Sequence, residues 1–162
     1  SLSSMDIHIR SAAETDYEQV NQVFANELAH HAALLPHRFQ LADPVMPRQW
    51  FLDVLADPNK TLYVALSEDS IAGLILLVES FSQDDPIYRP RHYLYVDELA
   101  VQPPYRRQGS GRRLMEAAEE VAVARDIATV ELIVWQANTQ ALAFYERLGY
   151  RTVRRRLARD LP

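Results

Sequence analysis

Apolar and polar residues follow two different periods along this chain, and each period predicts one type of element. Helices are expected where apolar residues recur every three or four positions, and the last of them is closed by Gly149. The spacing from Thr15 to Glu18 is that of a capping box and predicts the start of the first helix. The predicted helices span residues 15–30, 48–55, 109–125 and 138–148. Short alternating or continuously apolar runs predict strands at residues 7–10, 61–67, 71–80, 93–101, 129–135 and 150–157.

The predicted order is therefore β-α-α-β-β-β-α-β-α-β, which contains more strands than a doubly wound parallel sheet needs. The polar triplet Glu68–Ser70 between two strands predicts a hairpin. Together these features favour an α+β fold with a mixed, mostly antiparallel central sheet flanked by helices. We expect residues 5–162 to form a single domain and residues 1–4, which precede Met5, to be a remnant of an expression vector.

Composition excludes several classes of protein. With 162 residues, of which 48% are hydrophobic and 24% charged, the chain can bury a core, which argues against wholesale disorder. Its apolar runs fall short of the roughly 18–20 residues of a membrane span, so we expect no membrane partner. The net charge of −5 argues against a dedicated nucleic-acid-binding protein. The absence of cysteine excludes disulfides, thiolate metal clusters and a cysteine nucleophile, and it fits a cytoplasmic location.

The loop between the strand at 93–101 and the following helix combines glycines with arginines. Glycine at a helix N-terminus lets backbone N–H groups approach an anion closely, and the helix dipole adds attraction. Arginines beside those amides add charge-assisted hydrogen bonds. The loop contains Arg106, Arg107, Gln108, Gly109, Ser110, Gly111 and Arg112. It therefore predicts a diphosphate site, although two glycines alone are equally typical of a tight helix entry. Arg112 excludes a P-loop and Leu114 excludes the dinucleotide fingerprint.

A second group of residues lies about thirty positions further on. Asn138 stands where the last predicted helix begins, and Tyr145 follows seven residues later on the same helical face. Taken alone, the two residues are a helix cap and a core aromatic. Taken with the loop, the Asn-x6-Tyr-x3-Gly-Tyr pattern resembles the GCN5-related N-acetyltransferase (GNAT) superfamily, densely over residues 96–151. The strand Tyr95–Val101 is similar to the acidic strand of diamine and polyamine acetyltransferases.

The resemblance implies acetyl-CoA as cosubstrate. Backbone amides around Leu99, Ala100 and Val101 would bind the pantetheine arm and the thioester carbonyl, and residues 106–112 would wrap the pyrophosphate. Asn138 would contact the cofactor arm, and Tyr145 would lie near the sulfur as the acid that protonates the leaving thiolate.

Two adjacent carboxylates, Asp97 and Glu98, are the candidates for the catalytic base and cation site. Adjacent residues of a strand point to opposite faces, and carboxylates on an otherwise apolar strand are costly unless they have a purpose or a partner. We expect the two to share both roles, without assigning either. Further acidic residues, Asp84 and Asp85, favour a small cationic amine as acceptor. The alternatives are a protein or peptide amine, or a CoA-binding regulatory module without catalysis.

Other features leave questions open. Neighbouring histidines on a helix diverge by about 100°, so His30, His31 and the nearby His37 predict no metal site. Homodimers are common in the family, and the sequence does not decide whether the C-terminal arginines serve a dimer interface or the 3′-phosphate of CoA. These arginines are Arg151, Arg154, Arg155, Arg156 and Arg159.

Overall fold

A computed structural model of the protein describes residues 6–83 and 85–162, so Ser1–Met5 and Asp84 lie outside the described residues. Its centre is a five-stranded sheet in the order β1-β2-β3-β4-β5. Three strand pairs are antiparallel, and β4 pairs with β5 in parallel. The strands are β1 (Ile7–Ser11), β2 (Lys60–Ser67), β3 (Ser70–Ser82), β4 (Arg91–Val101) and β5 (Val130–Leu132). The predicted mixed, mostly antiparallel sheet is confirmed.

Helices cover both faces of this sheet. On one face, which we call the α1 face, α1 and α2 pack against Leu74 and Leu76 of β3. On the other, the α3 face, α3 and α4 pack against Ile75 and Leu77. Because both faces are covered, β3 is buried continuously from Ile71 to Leu77. The helices are α1 (Tyr17–Leu34), α2 (Arg48–Ala56), α3 (Ser110–Ala124) and α4 (Thr139–Arg147). Within the described ranges, no helix is long and apolar enough to cross a membrane.

The first helix begins differently from the prediction. The capping box from Thr15 to Glu18 does not form, and a short 3₁₀ turn precedes α1. Asp16 instead accepts the backbone N–H of Ala13 at 2.7 Å and two hydrogen bonds from Arg10 at 2.7 and 2.9 Å. The hydrogen bonds from Arg10 hold the pKa of this buried carboxyl below its usual value. Asp16 therefore ties β1 to the start of α1.

The last predicted strand, residues 150–157, is absent from the structure. Positions 151–162 belong to no helix or strand, and every one of them is exposed. The preceding strand is also shorter than predicted, since β5 covers Val130–Leu132 rather than residues 129–135. A strand needs a hydrogen-bonding neighbour: β5 covers only the residues that pair with β4, and residues 150–157 pair with no strand of the described residues.

Candidate active site

The carboxyl end of β4 opens away from β5. The two strands pair only over Leu94–Val96, so among the described residues the last four residues of β4, Glu98–Val101, pair with β3 alone. Gln102 donates its amide to the carbonyl of Ala72 at 2.7 Å, next to β3. Since amides alternate in direction along a strand, those of Leu99 and Val101 point into the gap. The backbone donors predicted to bind the cofactor arm are thus available.

The loop after β4 bends tightly into the N-terminus of α3. Gly109 caps the helix with φ 89°, a left-handed conformation that favours glycine, and Arg107 adopts φ 62°. Two side chains shape the loop itself: Arg106 donates through Nε to the Val101 carbonyl at 3.2 Å, and Gln108 donates to the Pro104 carbonyl at 3.2 Å. The first amides of α3 consequently face the same opening as the free edge of β4.

Ser110, the first residue of α3, shows that this opening suits an anion. Its hydroxyl oxygen is buried and has no hydrogen-bond partner among the described residues. A buried hydroxyl without a partner costs free energy, so a ligand oxygen placed there would be favourable. Gly111 brings α4 close, because a Cβ at this position would lie 3.3 Å from the ring of Phe144. The residues at this end of the cleft therefore fit the pyrophosphate of acetyl-CoA.

A β-bulge decides where the acidic pair points. Leu76 of β3 faces Glu98, whereas Leu77 faces Val96, so Asp97 is an extra residue without a partner on β3. The bulge shifts the alternation of side chains by one position. Glu98 therefore lies on the α1 face with Leu76, and Asp97 is exposed. Without the bulge, Glu98 would share the α3 face with Val96.

Glu98 lies close to a second carboxylate that sequence reasoning missed. Burial, and next the charges of Glu27 and Asp97, raise the pKa of Glu98 from 4.5 to about 8. Glu27 stands on α1, and one of its carboxylate oxygens lies 3.5 Å from Nδ1 of His31. A usable signal existed, because Glu27 interrupts the apolar stripe of α1 that contains Val20 and Phe24.

Tyr145, on α4, lies close enough to Glu98 and Glu27 for their charges to act on its hydroxyl. Burial raises the pKa of its hydroxyl above the ordinary value of a tyrosine, and the charges of Glu98 and Glu27 raise it further. The hydroxyl therefore stays protonated at neutral pH. Asn138 caps α4 by accepting the amide of Ala141 at 3.2 Å, which leaves its Nδ2 group to donate to a ligand.

One cleft of about 970 Å³ joins these features. Aromatic rings line the same cleft as Glu27 and Glu98. The ring centroid of Phe39 lies 5.3 Å from that of His31 and 5.7 Å from that of Trp135. Ala100 does not line the cleft but is buried on the α1 face, and Gln108 does not line it either. The predicted site residues that do line it are Asp97, Glu98, Leu99, Val101, Arg106, Arg107, Gly109, Ser110, Gly111, Arg112, Asn138 and Tyr145. In the described part of the chain, no three carboxylate or imidazole side chains are grouped as metal ligands.

Comparison with known proteins agrees with this geometry. The sequence pattern of the Acetyltransferase (GNAT) family matches residues 26–150. The chain belongs to the GNAT family. Among solved structures, a mutant of the BH1408 protein from Bacillus halodurans superposes with a TM-score of 0.92 and 25% identity, over 96% of this chain and 99% of that one.

Curated relatives of this GNAT chain match over shorter stretches. L-ornithine N5-acetyltransferase NATA1 of Arabidopsis thaliana is 29% identical over 97 residues, which are 59% of this chain and 41% of that protein. The [ribosomal protein bS18]-alanine N-acetyltransferase of Escherichia coli K12 is 44% identical over 59 residues, 35% of this chain and 40% of that protein. The chain thus spans about two fifths of the length of these relatives.

Proposed function

We propose that this GNAT protein transfers the acetyl group of acetyl-CoA directly to a primary amine, and that the acceptor is a small cationic molecule. The observation that carries the proposal is that one cleft contains groups suited to an anion and groups suited to an amine. The buried hydroxyl of Ser110, which has no hydrogen-bond partner in the part of the chain that the structure describes, lies at the N-terminus of α3, a position that favours an anion. The carboxylates of Glu27 and Glu98, with the protonated hydroxyl of Tyr145, line the same cleft.

Binding of acetyl-CoA is supported by three groups of the chain. The amides at the start of α3, with the Ser110 hydroxyl, would hold the pyrophosphate, and Arg112 would add charge. The free amides of Leu99 and Val101 would bind the pantetheine arm and the thioester carbonyl. The Nδ2 group of Asn138 would donate to the same arm.

Deprotonation of the amine is the step assigned to Glu98. An alkyl ammonium with a pKa of about 10.4 is almost fully charged at pH 7, and neutralising it costs about 5 kcal/mol. With its pKa raised to about 8, Glu98 is matched to accept that proton near neutral pH, directly or through water. Asp97, exposed at the bulge, raises the pKa of Glu98 and attracts the cation rather than acting as the base.

Acetyl transfer then follows as a balanced step. The amine nitrogen forms a bond to the carbonyl carbon while the amide of Leu99 or Val101 stabilises the negative oxygen. The carbon–sulfur bond breaks, and the Tyr145 hydroxyl donates to the departing sulfur. The products are the acetylated amine and CoA with its thiol protonated.

The preference for a small cation rests on charge and on shape. The Glu27 carboxylate shares the cleft with aromatic walls formed by Phe39 and Trp135, and Glu98 adds a second negative charge once it loses its proton, a combination that attracts an ammonium group. The relative named for ornithine acetylation supports this class. The relative named for ribosomal-protein alanine acetylation supports the second candidate, the amine of a protein N-terminus.

A CoA-release assay over a panel of acceptors tests the proposal. We expect diamines and basic amino acids to react faster than neutral amines, alanine-initiated peptides and aminoglycosides. Glu27→Gln should raise KM for the diamine about tenfold or more, with the Kd of acetyl-CoA unchanged. Glu18→Gln, an exposed carboxylate at the other end of α1, is the matched control. Faster reaction of the peptides would favour the second candidate. Thermal stabilisation by acetyl-CoA without release on any acceptor would instead indicate a binding module.

A further inference from the structure

The two halves of α1 are held to the protein in different ways. The buried residues of this helix all lie near its start, and they are Tyr17, Val20 and Val23. Residues 24–34, which we call the outer half of α1, contain no buried residue. Yet this half lines the cleft, through Glu27 and His31 among others. Burial therefore holds the part of α1 that lines the cleft less firmly than the part that does not.

A side-chain hydrogen bond joins the outer half of α1 to the end of β4. Asn26 donates through Nδ2 to Oε1 of Gln102 at 2.5 Å. Each partner is oriented from its own side: Gln22, one turn earlier on α1, donates to Oδ1 of Asn26 at 3.0 Å, and the amide of Gln102 donates to the Ala72 carbonyl of β3 at 2.7 Å. Neither Asn26 nor Gln102 lines the cleft. The bond thus connects two walls of the cleft from outside.

The neighbours of this pair along the chain belong to the two ends of the site. Asn26 precedes Glu27, and Gln102 follows Val101, whose amide is assigned to the cofactor arm. Adjacent residues of a helix diverge by about 100°, so Asn26 can bind Gln102 while Glu27 lines the cleft. The charges of Glu27 and Glu98 act on each other, and like charges repel once both groups are ionised. Keeping the outer half of α1 beside β4 therefore needs an attachment that opposes this repulsion.

We infer that the hydrogen bond between Asn26 and Gln102 is a positioning contact, which fixes the outer half of α1 against the end of β4 and so sets the distance between Glu27 and the amides that bind acetyl-CoA. This role rests on the proposed function, in which Glu27 binds the cationic acceptor. Without the bond, the outer half tilts away from β4 and the amine is held too far from the thioester, which slows a reaction that depends on close approach. Cofactor binding is retained, because the backbone of Gln102 stays attached to β3.

A pair of matched methionine variants tests this role by kinetics. Gln102→Met removes the acceptor of the Asn26 bond and keeps the length of the side chain. Gln19→Met is the control, since it removes the acceptor of the Ile71 amide, a 3.0 Å bond between β3 and the half of α1 that the core holds. We expect Gln102→Met to raise KM for the diamine about tenfold with the Kd of acetyl-CoA unchanged, and Gln19→Met to change neither. An equal rise of KM in both variants, or none in Gln102→Met, overturns the inference.

A double-mutant cycle separates the bond from other effects of each side chain. Asn26→Leu removes the donor and should raise KM to the same extent as Gln102→Met. Because each substitution breaks the same bond, the double variant should be no worse than either single one. A double variant whose rise in KM is the product of the two single rises overturns the inference.

Spin-label distances measure the position of α1 without any substrate. The chain contains no cysteine, so Ala29→Cys and Glu120→Cys allow selective labelling of two exposed positions, one on the outer half of α1 and one on α3. We expect Gln102→Met to broaden the distribution of distances between the labels, and Gln19→Met to leave it as in the parent. An unchanged distribution in Gln102→Met overturns the inference, whichever amine the protein acetylates. A broadened distribution in a protein that releases CoA with no amine supports the attachment of α1 and contradicts the proposed function.

Discussion

Replacing Glu98 with glutamine should make the protein more stable and much less active. The pKa of Glu98 is raised from 4.5 to about 8, which means that the folded protein disfavours the ionised form of this side chain. A difference of about 3.5 pKa units corresponds to about 5 kcal/mol at pH values above both. Glutamine has the same shape and no charge, so it avoids this cost. Because the cleft is open to water, we expect a measured gain of about 2 kcal/mol at pH 9.

The sign of the pH dependence follows from proton binding. Between pH 4.5 and 8 the folded protein holds a proton on Glu98 that the unfolded chain has already released, so the parent loses stability as the pH rises through this window. The variant lacks this loss. Urea denaturation should therefore give similar free energies of unfolding for both proteins at pH 4.5, and a higher value for Glu98→Gln at pH 9.

Activity provides the second readout. In the parent, kcat/KM should rise with pH through about 8, as Glu98 loses its proton. Glu98→Gln should lower kcat/KM about 10²–10⁴-fold and remove this rise. Asp97→Asn is the control: it removes one charge that raises the pKa of Glu98, so the rise should remain and move to lower pH. Two results together would contradict this reasoning: an equal loss of stability in Glu98→Gln at both pH values, and a rise of kcat/KM with pH that persists in the variant. The charge of Glu98 would then not lower the stability of the folded protein, and Glu98 would not be the base.

Three further changes test other parts of the site and fold. Tyr145→Phe should lower kcat at least about 100-fold with little change in the Kd of acetyl-CoA, and equal loss of both would indicate packing instead. Asn138→Asp keeps the cap of α4 but removes the Nδ2 donor, so calorimetry should show weaker binding of acetyl-CoA while the free energy of unfolding stays unchanged. Asn138→Ala removes the cap as well and should also lower the free energy of unfolding by about 1 kcal/mol. Asp16→Asn should lower the free energy of unfolding, measured in urea at pH 7, by about 1.5–3 kcal/mol. The difference from the parent should shrink as the pH falls through the lowered pKa of Asp16. An equal loss at pH 7 and pH 3 would contradict the role of its charge.

The cofactor end of the site could be found from the sequence because local backbone requirements fix it. Gly109 adopts a left-handed conformation at the N-cap of α3, and Asn138 caps α4 through its own side chain. Each requirement is met within a few residues of chain, so residue type and spacing reveal it. Tyr145 follows from Asn138 through helical periodicity alone.

The acceptor end depends on contacts between distant segments. Glu98 faces Glu27 only because the register between β3 and β4 slips by one residue at Asp97. Alternation in the sequence places the two adjacent carboxylates on opposite faces but cannot tell which face each one takes. The shifted pKa of Glu98 arises from burial and from a charge more than seventy residues away, which no local pattern contains.

The sequence by itself determined the order and type of nearly every element and the residues that cap and bend the cofactor loop, since these depend on neighbours along the chain. Only the tertiary structure decided the bulge at Asp97, the pairing of Glu98 with Glu27 and the state of residues 150–157. The alternating pattern of that last segment is suited to a strand, but a strand exists only where another backbone satisfies its hydrogen bonds. Whether such a neighbour is present is a property of the assembled protein.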